Sequence, residues 1–148
     1  MPVIEDPEAP ADESVNRIVF CSGKVYFDLA EYRRAENVSG VAIVRVEELY
    51  PFPIDEYARI IGKYRNAKEV VWCQEEPQNQ GAWYQIRHRL QEPLSGQQQL
   101  FYAGRPGAAA PASGIHALHV RQQQALVAAA LSSSSRERAA LSTVGKRA

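Results

Sequence analysis

Four short, uninterrupted apolar runs, each followed by a stretch with helical spacing of apolar residues, constrain this chain most. Because the runs lack polar–apolar alternation, they are typical of strands buried on both faces of a sheet. Strands that alternate with helices predict an α/β fold, in which a mostly parallel, doubly wound sheet carries helices on both faces. The apolar runs are Arg17–Gly23, Val41–Val46, Glu69–Gln74 and Leu100–Ala103. The helical stretches are Lys24–Ala35, Ile54–Tyr64, Trp83–Leu90 and Leu118–Ala129.

The same pattern divides the chain into three parts. Residues 1–16 contain three prolines and five acidic residues without periodicity, which predicts an acidic, proline-containing linker. Residues 17–131 contain the strand–helix units and form the predicted domain. Residues 132–148 begin with a run of serines and lean basic, so we expect a disordered tail.

Composition narrows the classes of function. The chain has 148 residues, with 17 Lys and Arg against 17 Asp and Glu, so its net charge indicates neither a nucleic-acid nor a membrane partner. Cys21 and Cys73 lie in apolar runs, which predicts buried, reduced thiols, and no His or Cys spacing is that of a metal site. No apolar run approaches the ~20 residues that span a bilayer. The acidic start is unlike a signal or transit peptide.

In a doubly wound fold, ligands bind at the edge where the parallel strands end, which we call the carboxyl edge. Most of the unusual residue choices fall in the loops expected there, so we look for a functional site at this edge. The loops are Cys21–Lys24, Glu47–Pro53, Gln74–Gly81 and Gly104–Gly114.

Two adjacent carboxylates, Glu75 and Glu76, follow the third apolar run. Neighbouring side chains of a strand point to opposite faces, whereas an acid–base pair needs two carboxyl groups that converge on one substrate. We therefore expect a structural or contact role. One glutamate pairs with a cation of the same edge, such as Lys24 or Arg105, and the other faces solvent or a partner.

A weak anion-binding signal lies at Ser22, Gly23 and Lys24, which connect a strand to a helix. Backbone N–H groups and the helix dipole favour a phosphate or carboxylate at such a position, and Lys24 and Arg105 would add charge. The segment is neither a Walker loop nor a GxGxxG fingerprint. A tight turn with a solvated or paired Lys24 is the structural alternative.

Other residues of the edge are candidates for positioning loops or for contacts. Asn79 or Gln80 is expected to cap the helix that begins near Gly81, because an Asn side chain can accept a bond from a free N–H. Tyr50 and Phe52, in a stiff Tyr-Pro-Phe-Pro segment, are either core or interface aromatics.

Trp83 and His119 complete the set of possible interface or loop-positioning residues. Trp83 opens the third helical stretch, and His116 and His119 lie near the start of the last one. A histidine in such a place is more often a hydrogen-bonded structural residue than a base, although its pKa range allows a switch.

Five segments together resemble one protein family, the C-terminal domain of the thiamine-diphosphate-dependent first component of 2-oxoglutarate dehydrogenase. The likeness covers about residues 17–131, and the combination of WCQEEPQNQGAW with YPFP is specific to it. The segments are CSGKVYFDL (Cys21–Leu29), VAIVRVEELYPFP (Val41–Pro53), VVWCQEEPQNQGAW (Val70–Trp83), YAGRP (Tyr102–Pro106) and the spaced pattern from Pro111 to Leu126.

The resemblance implies a transketolase C-terminal-like domain that supports a homodimer and carries edges used in regulation or assembly. The full-length component of that family decarboxylates 2-oxoglutarate on thiamine diphosphate and Mg²⁺. It then succinylates the lipoyl group of the succinyltransferase component, within the tricarboxylic acid cycle. The implied partners are the remaining domains, the sister subunit and, indirectly, the succinyltransferase. The implied location is the bacterial cytoplasm, which we favour, or the mitochondrial matrix.

The chain departs from the family pattern at the cofactor. It lacks the GDG…N signature that holds Mg²⁺ and the diphosphate, and the pyrimidine-binding domain with its activating glutamate. No catalytic, cofactor-binding or metal-binding residue of the family can be carried onto this chain, and we expect the chain alone to be inactive.

Three other interpretations stay open. In the first, Ser22, Gly23, Lys24 and Arg105 form a regulatory module that binds the phosphate of a nucleotide or of coenzyme A. In the second, the chain is a gene fragment without function, since the serine-rich tail is a further departure from the family. The third is an independent flavodoxin-like protein.

Overall fold

The computed structural model describes residues 2–105, 116–132 and 142–144, which form a six-stranded sheet with helices on both faces. None of the described helices is long and apolar enough to cross a membrane. The strands are β1 (Val3–Ile4), β2 (Arg17–Cys21), β3 (Val41–Val46), β4 (Glu69–Pro77), β5 (Gln99–Arg105) and β6 (Ser142–Val144). The helices are α1 (Val25–Ala35), α2 (Ile54–Lys63), α3 (Trp83–Gln91) and α4 (His116–Leu131), with a short 3-10 turn at Asp12–Ser14.

The strands follow the order β1-β3-β2-β4-β5-β6. The inner strands β3, β2, β4 and β5 are parallel, whereas β1 and β6 pair antiparallel with β3 and β5. Since β3 and β4 flank β2 on opposite sides, the direction of the crossovers reverses between β2 and β4. The doubly wound α/β fold predicted from the apolar runs is confirmed.

Two apolar layers separate the sheet from its helices. Under α2 and α3 the layer contains the bulkiest side chains, among them Tyr57, Trp72 and Trp83. The layer under α1 and α4 is built from smaller residues and includes Cys21 and Cys73, which lie opposite each other on neighbouring strands. Both cysteines are buried and free, as predicted, and burial raises the pKa of both thiols.

Residues 2–16 pack against the sheet, which differs from the linker that the sequence predicts. β1 pairs with the end of β3, where Val3 lies opposite Val46. Val3 and Val15 are both buried in the layer under α2 and α3. A strand of two residues is too short to show a periodic pattern, and for this reason the segment reads as a linker in the sequence.

A buried ion pair between Asp6 and Arg33 fixes this segment to α1 and β3. Arg33 Nη2 donates to Asp6 Oδ1 at 2.9 Å, and Arg33 Nη1 donates to Asp6 Oδ2 and, at 3.0 Å, to the Val41 carbonyl. Asp6 Oδ2 also accepts the Ile43 N–H at 2.9 Å. β1 pairs only with Arg45 and Val46 of β3. The ion pair therefore provides hydrogen-bond partners for the Val41 carbonyl and the Ile43 N–H, which β1 does not reach.

Opposing effects set the pKa of Asp6. Burial alone would raise this pKa, but hydrogen bonds from Arg33 and from the N–H groups of Ile43 and Glu8 outweigh it and hold the pKa below its usual value. The hydrogen bond to Asp6 in turn raises the pKa of Arg33. Both groups are consequently charged at neutral pH.

Part of the predicted tail is also ordered. Ser142–Val144 form β6, with Val144 opposite Leu100 of β5. These three residues differ from the disordered tail that the sequence predicts, because the free side of β5 offers a row of backbone groups for pairing. The rest of the tail from residue 133 onward lies outside the described residues.

A second buried arginine, Arg17, joins the start of β2 to the end of α4. Its Nη1 donates to the carbonyls of Ala130 at 2.8 Å and Ser132 at 3.1 Å. Its Nε and Nη2 donate to Glu69 Oε1 at 3.0 and 2.9 Å. The last carbonyls of a helix have no partner within the helix, so Arg17 supplies donors where α4 needs them.

We expect Asp6→Ala to lower the free energy of unfolding by about 3 kcal/mol, because it leaves the buried Arg33 without its counter-ion. Urea unfolding at neutral pH measures this loss. Glu8→Ala is the matched control, since Glu8 lies 3.9 Å from Arg34 in an exposed pair. The control should stay within about 0.5 kcal/mol of wild type. Equal losses in the two variants would contradict the role of the pair.

The pKa of Asp6 also predicts a pH dependence of stability. Since the folded-state pKa lies below the usual value of 3.8, the stabilisation is present above that value and is lost as pH falls through the folded pKa. Wild type should lose more stability below about pH 4 than Asp6→Asn, whose side chain does not titrate. Urea unfolding at a series of pH values checks this, and parallel curves for the two proteins would count against it.

Candidate functional site

The loops after β2 and β4 meet at the carboxyl edge, at the point where the crossovers reverse. In doubly wound folds, the crevice between two such loops receives the ligand. Here Lys24 Nζ donates to Glu75 Oε1 across this crevice at 3.1 Å. The Lys24 side chain is 83% exposed, so the pair contributes little energy.

Glu75 and Glu76 point in different directions, as their adjacency predicts. Glu75 is partly buried beside α4, where its Oε1 also accepts Gln123 Nε2 at 3.2 Å. Glu76 is exposed, and its carbonyl accepts a hydrogen bond from Gln74 Nε2 at 3.1 Å. The two carboxyl groups do not converge on one space, and the pairing of one of them with Lys24 matches the sequence prediction.

Arg105 ends β5 with a buried guanidinium that joins β4 to α4. Its Nε donates to the Glu75 carbonyl at 2.7 Å, Nη1 to Gln122 Oε1 at 2.9 Å and Nη2 to Gln123 Oε1 at 2.6 Å. His119 adds its carbonyl, 3.4 Å from Nη1, and its Nε2, 3.5 Å from Nη2. Each of the three guanidinium nitrogens thus has a protein partner.

The four residues predicted for anion binding share one edge but do not form one cradle. Arg105 is buried among protein acceptors, and Lys24 is paired across the crevice. Gly23 has a φ of +80°, and its N–H lies 3.4 Å from Glu47 Oε2. A carboxylate therefore occupies the place at the start of α1 where an anion would bind. A ligand role for Ser22, Gly23, Lys24 and Arg105 stays a prediction.

Gln74 shapes the loop between β4 and α3, although the sequence patterns did not single it out. Its side chain is buried, and its Oε1 accepts Trp72 Nε1 at 2.9 Å. Its Nε2 donates to the carbonyls of Glu76 at 3.1 Å and Pro77 at 3.0 Å. The sequence does contain a signal for this role: Gln74 is a polar residue at the end of an apolar run. Such a residue needs hydrogen-bond partners when it is buried.

Two glycines make room for this arrangement. A Cβ on Gly81 would lie 2.5 Å from Gln74 Nε2, and a Cβ on Gly104 would lie 2.8 Å from the Gln74 carbonyl oxygen. Both distances are shorter than carbon atoms can approach these groups. At position 104 the obstacles include backbone and the Tyr102 ring, so glycine is required there, whereas a side chain at position 81 would displace the Gln74 amide.

The prediction that Asn79 or Gln80 caps the following helix is wrong. α3 begins at Trp83, and its N-cap residue is Ala82, without a hydrogen bond from any capping side chain. The loop turns instead through its backbone, since the Gln80 N–H donates to the Pro77 carbonyl at 2.9 Å. This turn leaves Asn79 and Gln80 ahead of the cap position with exposed side chains.

The two aromatic residues of the Tyr-Pro-Phe-Pro segment have different environments. Phe52 is buried and packs against a ring of α2, with centroids 5.6 Å apart. Tyr50 is 63% exposed, and its hydroxyl is hydrogen-bonded to Gln85. Trp83 is buried like Phe52 and packs against Tyr102 with centroids 5.0 Å apart. Phe52 and Trp83 thus belong to the core, and Tyr50 to the surface.

The large apolar side chains that are exposed in the described residues all lie at the carboxyl edge. They belong to Phe27 in the first turn of α1, Tyr50 before α2, Tyr84 in the first turn of α3 and Leu118 in the first turn of α4. We call these four residues the exposed apolar set. No other edge of the described residues exposes a large apolar side chain, so the carboxyl edge is the candidate contact surface.

Parts of the predicted site lie outside the described residues. They are the loop from residue 106 to residue 115 and the side chain of His116. His119 is exposed beside Arg105, and a switching role for it stays a prediction.

The described residues do not fit a site for Mg²⁺ and a diphosphate. No three of their His, Cys, Asp or Glu side chains are grouped so that they could hold a metal ion. Mg²⁺ binds such cofactors through carboxylate oxygens together with the phosphates. We therefore assign no step of thiamine diphosphate chemistry to this part of the chain.

Comparison with known proteins agrees with the resemblance seen in the motifs. A family described as 2-oxoglutarate dehydrogenase C-terminal matches residues 1–131. The 2-oxoglutarate dehydrogenase E1 component of Cupriavidus necator is 48% identical over 128 residues, which cover 86% of this chain and 14% of the relative. That of Haemophilus influenzae is 50% identical over 120 residues, covering 81% and 13%. That of Azotobacter vinelandii is 48% identical over 129 residues, covering 85% and 14%.

The chain spans only about one seventh of the length of these curated relatives, since the matched share of each is 13% or 14%. The matches cover 81% to 86% of this chain. The family match begins at residue 1 and so includes residues 1–16. The segment that packs through β1 and Asp6 is thus within the matched region.

We expect Gly104→Ala to lower the free energy of unfolding by about 2–3 kcal/mol, because the new methyl group overlaps the Tyr102 side chain and the Gln74 carbonyl. Gly62→Ala is the opposite control. Gly62 lies in α2 with open space around it, so alanine should raise stability by up to about 1 kcal/mol. Urea unfolding of both variants measures the contrast. A Gly104→Ala variant as stable as wild type would refute the close approach.

Proposed function

The chain belongs to the 2-oxoglutarate dehydrogenase C-terminal family, and we propose that it is the structural and dimerisation domain of the decarboxylating component. In this proposal, the chain carries no catalytic residue. It forms a rigid support whose carboxyl edge contacts the other domains of the component or its sister subunit. Those other domains bind the thiamine diphosphate and Mg²⁺.

The observation that carries this proposal is the position of the exposed apolar set. All four side chains lie at one edge, on four separate helix starts and loops. Aromatic residues are enriched at protein interfaces, because a rigid ring buries a large area with little loss of conformational entropy. The exposed fractions of Phe27, Tyr50 and Tyr84 are 62%, 63% and 49%, so each ring has substantial area left to bury.

The polar groups of the edge support the same proposal. Arg105, Gln74 and Gln123 have protein partners for their side chains, so these groups fix the shape of the edge. A small-molecule site would need convergent polar groups that are free to bind the ligand. An edge at which Arg105, Gln74 and Gln123 are engaged within the protein while large apolar side chains stay exposed is better suited to a protein partner.

The parent reaction follows from this assignment. The complete component would decarboxylate 2-oxoglutarate and pass the succinyl group to the lipoyl group of the succinyltransferase component within the tricarboxylic acid cycle. This chain would contact that succinyltransferase only indirectly. The relatives come from bacteria such as Cupriavidus necator and Haemophilus influenzae, which supports a cytoplasmic location.

The test uses the Cupriavidus necator E1 component without the C-terminal segment that this chain matches, which we call the complementary part. We expect the chain alone to show no ferricyanide-coupled oxidation of 2-oxoglutarate, since its sequence has no GDG…N signature for Mg²⁺ and the diphosphate. Mixed with a complementary part that circular dichroism shows to be folded, it should bind and restore a dimer with thiamine-dependent turnover. Light scattering and the ferricyanide assay measure the two effects. Activity of the chain alone, or no binding, would overturn the proposal.

A second prediction tests the edge itself. Replacing Phe27, Tyr50 and Tyr84 by serine should raise the dissociation constant for the complementary part by about tenfold or more. The matched control replaces Arg65 and Lys68, two exposed residues between α2 and β4 at the opposite edge, by serine. The control should bind like wild type. An equal effect of both sets would indicate that the carboxyl edge is not the contact surface.

Glu75→Gln and Glu76→Gln are predicted to separate assembly from chemistry. We expect either change in the assembled component to weaken the dimer by about threefold to tenfold while kcat changes less than about twofold, because these glutamates position loops and contacts. Sedimentation equilibrium and the ferricyanide assay give the two numbers. A large fall in kcat with an intact dimer would contradict the structural role of this pair.

A further inference from the structure

Arg45 is the penultimate residue of β3, and two aromatic rings hold its guanidinium. The Arg45 Cζ atom lies 4.2 Å from the ring centroid of Tyr26 and 5.9 Å from that of Phe27. The two rings themselves meet edge to face, with centroids 5.3 Å apart. Both come from the first turn of α1, so α1 fixes the position of a side chain that belongs to the neighbouring strand.

The donors of Arg45 have no acceptor within the described residues. No hydrogen bond or ion pair joins Arg45 to any of them, and its Nε is buried without a partner. The nearby carboxylate of Glu47 instead lies 3.4 Å from the Gly23 N–H. Arg105 and Arg17, by contrast, have partners at every nitrogen. A buried donor without a partner costs about 1–3 kcal/mol. The Nε itself is shielded by the protein, so an incoming acceptor would bind the terminal Nη1 and Nη2 groups of Arg45.

The stack leaves one of its sides open. Phe27 is 62% exposed, whereas Tyr26 is buried. A guanidinium that stacks on aromatic rings loses little further freedom when it binds, and its planar fork matches a carboxylate with two parallel hydrogen bonds. An exposed ring next to an ordered arginine is the composition of an interface hot spot.

We propose that Arg45, together with Tyr26 and Phe27, receives an aspartate or glutamate side chain from the complementary part. The inference rests on the proposed function and adds the chemistry of one contact within it. We call these three residues the Arg45 patch. The carboxylate would accept two hydrogen bonds from Arg45, and its hydrocarbon stem would cover the open face of Phe27.

A carboxylate suits this patch better than a phosphate does. Glu47 and Glu48 follow Arg45 closely on the chain, and Glu47 reaches back over the start of α1. Their negative charges oppose a doubly charged phosphate more than a singly charged carboxylate. An exposed phenyl ring beside the charge also matches a protein side chain with an apolar stem.

The test compares the isolated chain with its complex. In the isolated chain, Arg45→Met should leave the midpoint of thermal unfolding unchanged or raise it, because it removes a donor without a partner. In the mixture, the same variant should raise the dissociation constant for the complementary part by about thirtyfold or more. Arg45→Lys should give an intermediate loss, since it keeps the charge without the fork. Phe27→Ala should weaken binding by about tenfold.

The matched control is Arg89→Met, which removes an exposed arginine near the end of α3, away from the carboxyl edge. It should bind like wild type. Binding of wild type should weaken with added salt more than binding of Arg45→Met, since only wild type makes the charged contact.

The outcomes separate the two proposals. If the wild-type chain does not bind the complementary part, the proposed function fails, and the Arg45 contact with it. If wild type binds and both Arg45 variants bind equally well, only the Arg45 contact is overturned. Stabilisation of the isolated wild-type chain by inorganic phosphate, absent in Arg45→Met, would overturn it in favour of a free anion. An Arg45-dependent dimer of the isolated chain would overturn it in favour of a second copy.

Discussion

Two buried guanidinium groups hold α4 against the sheet, and the packing of that face depends on them. Arg17 begins β2 and donates to the last carbonyls of α4, while Arg105 ends β5 and donates to Gln122 and Gln123 in the middle of the helix. The apolar layer under α4 has smaller side chains than the layer under α2 and α3, so it interlocks less with the helix. Hydrogen bonds to a planar fork do not tolerate a shift of the helix, because each displaced acceptor would leave a buried charge without a partner. The two arginines therefore favour one register of α4 on the sheet.

The carboxyl edge combines buried polar side chains that have partners, Gln74 and Arg105, with exposed apolar side chains. Lys24 and Glu75 bridge the crevice in which doubly wound folds bind their ligands, and Gln74 fixes the adjoining loop. Evolution of such an edge toward protein contacts needs no change of fold, since loops at the strand ends vary independently of the core. Phe27 and Tyr50 then provide the area that a partner can bury.

The core of the fold could be predicted from the sequence, because a strand buried on both faces must be apolar throughout. The apolar runs predict β2, β3, β4 and β5. The adjacency of Glu75 and Glu76 predicts that one of them pairs with a cation of the edge, but not that the pair is Lys24 with Glu75. The roles of side chains whose partners are distant in the sequence could not be predicted. In the sequence, Arg105 is indistinguishable from a free cation, because its partner Gln122 lies on α4. Asn79 has the residue type of a helix cap, but the backbone turn at Pro77 places it ahead of the cap position. Tyr50 and Phe52 have the same local sequence context, and only the packing of α2 separates them.

The ion pair of Asp6 and Arg33 protects the outer edge of β3. The outer side of β3 is an unprotected sheet edge wherever β1 does not reach, and these two side chains take up its Ile43 N–H and Val41 carbonyl. Exposed edges of this kind are templates for pairing with other chains. A shortened chain that starts at Arg17, the first residue of the apolar pattern, would keep every predicted strand and still lose this cover. Such a chain would present the Ile43 N–H and the Val41 carbonyl on an open edge, so the acidic segment ahead of the first apolar run protects this edge against pairing with other chains.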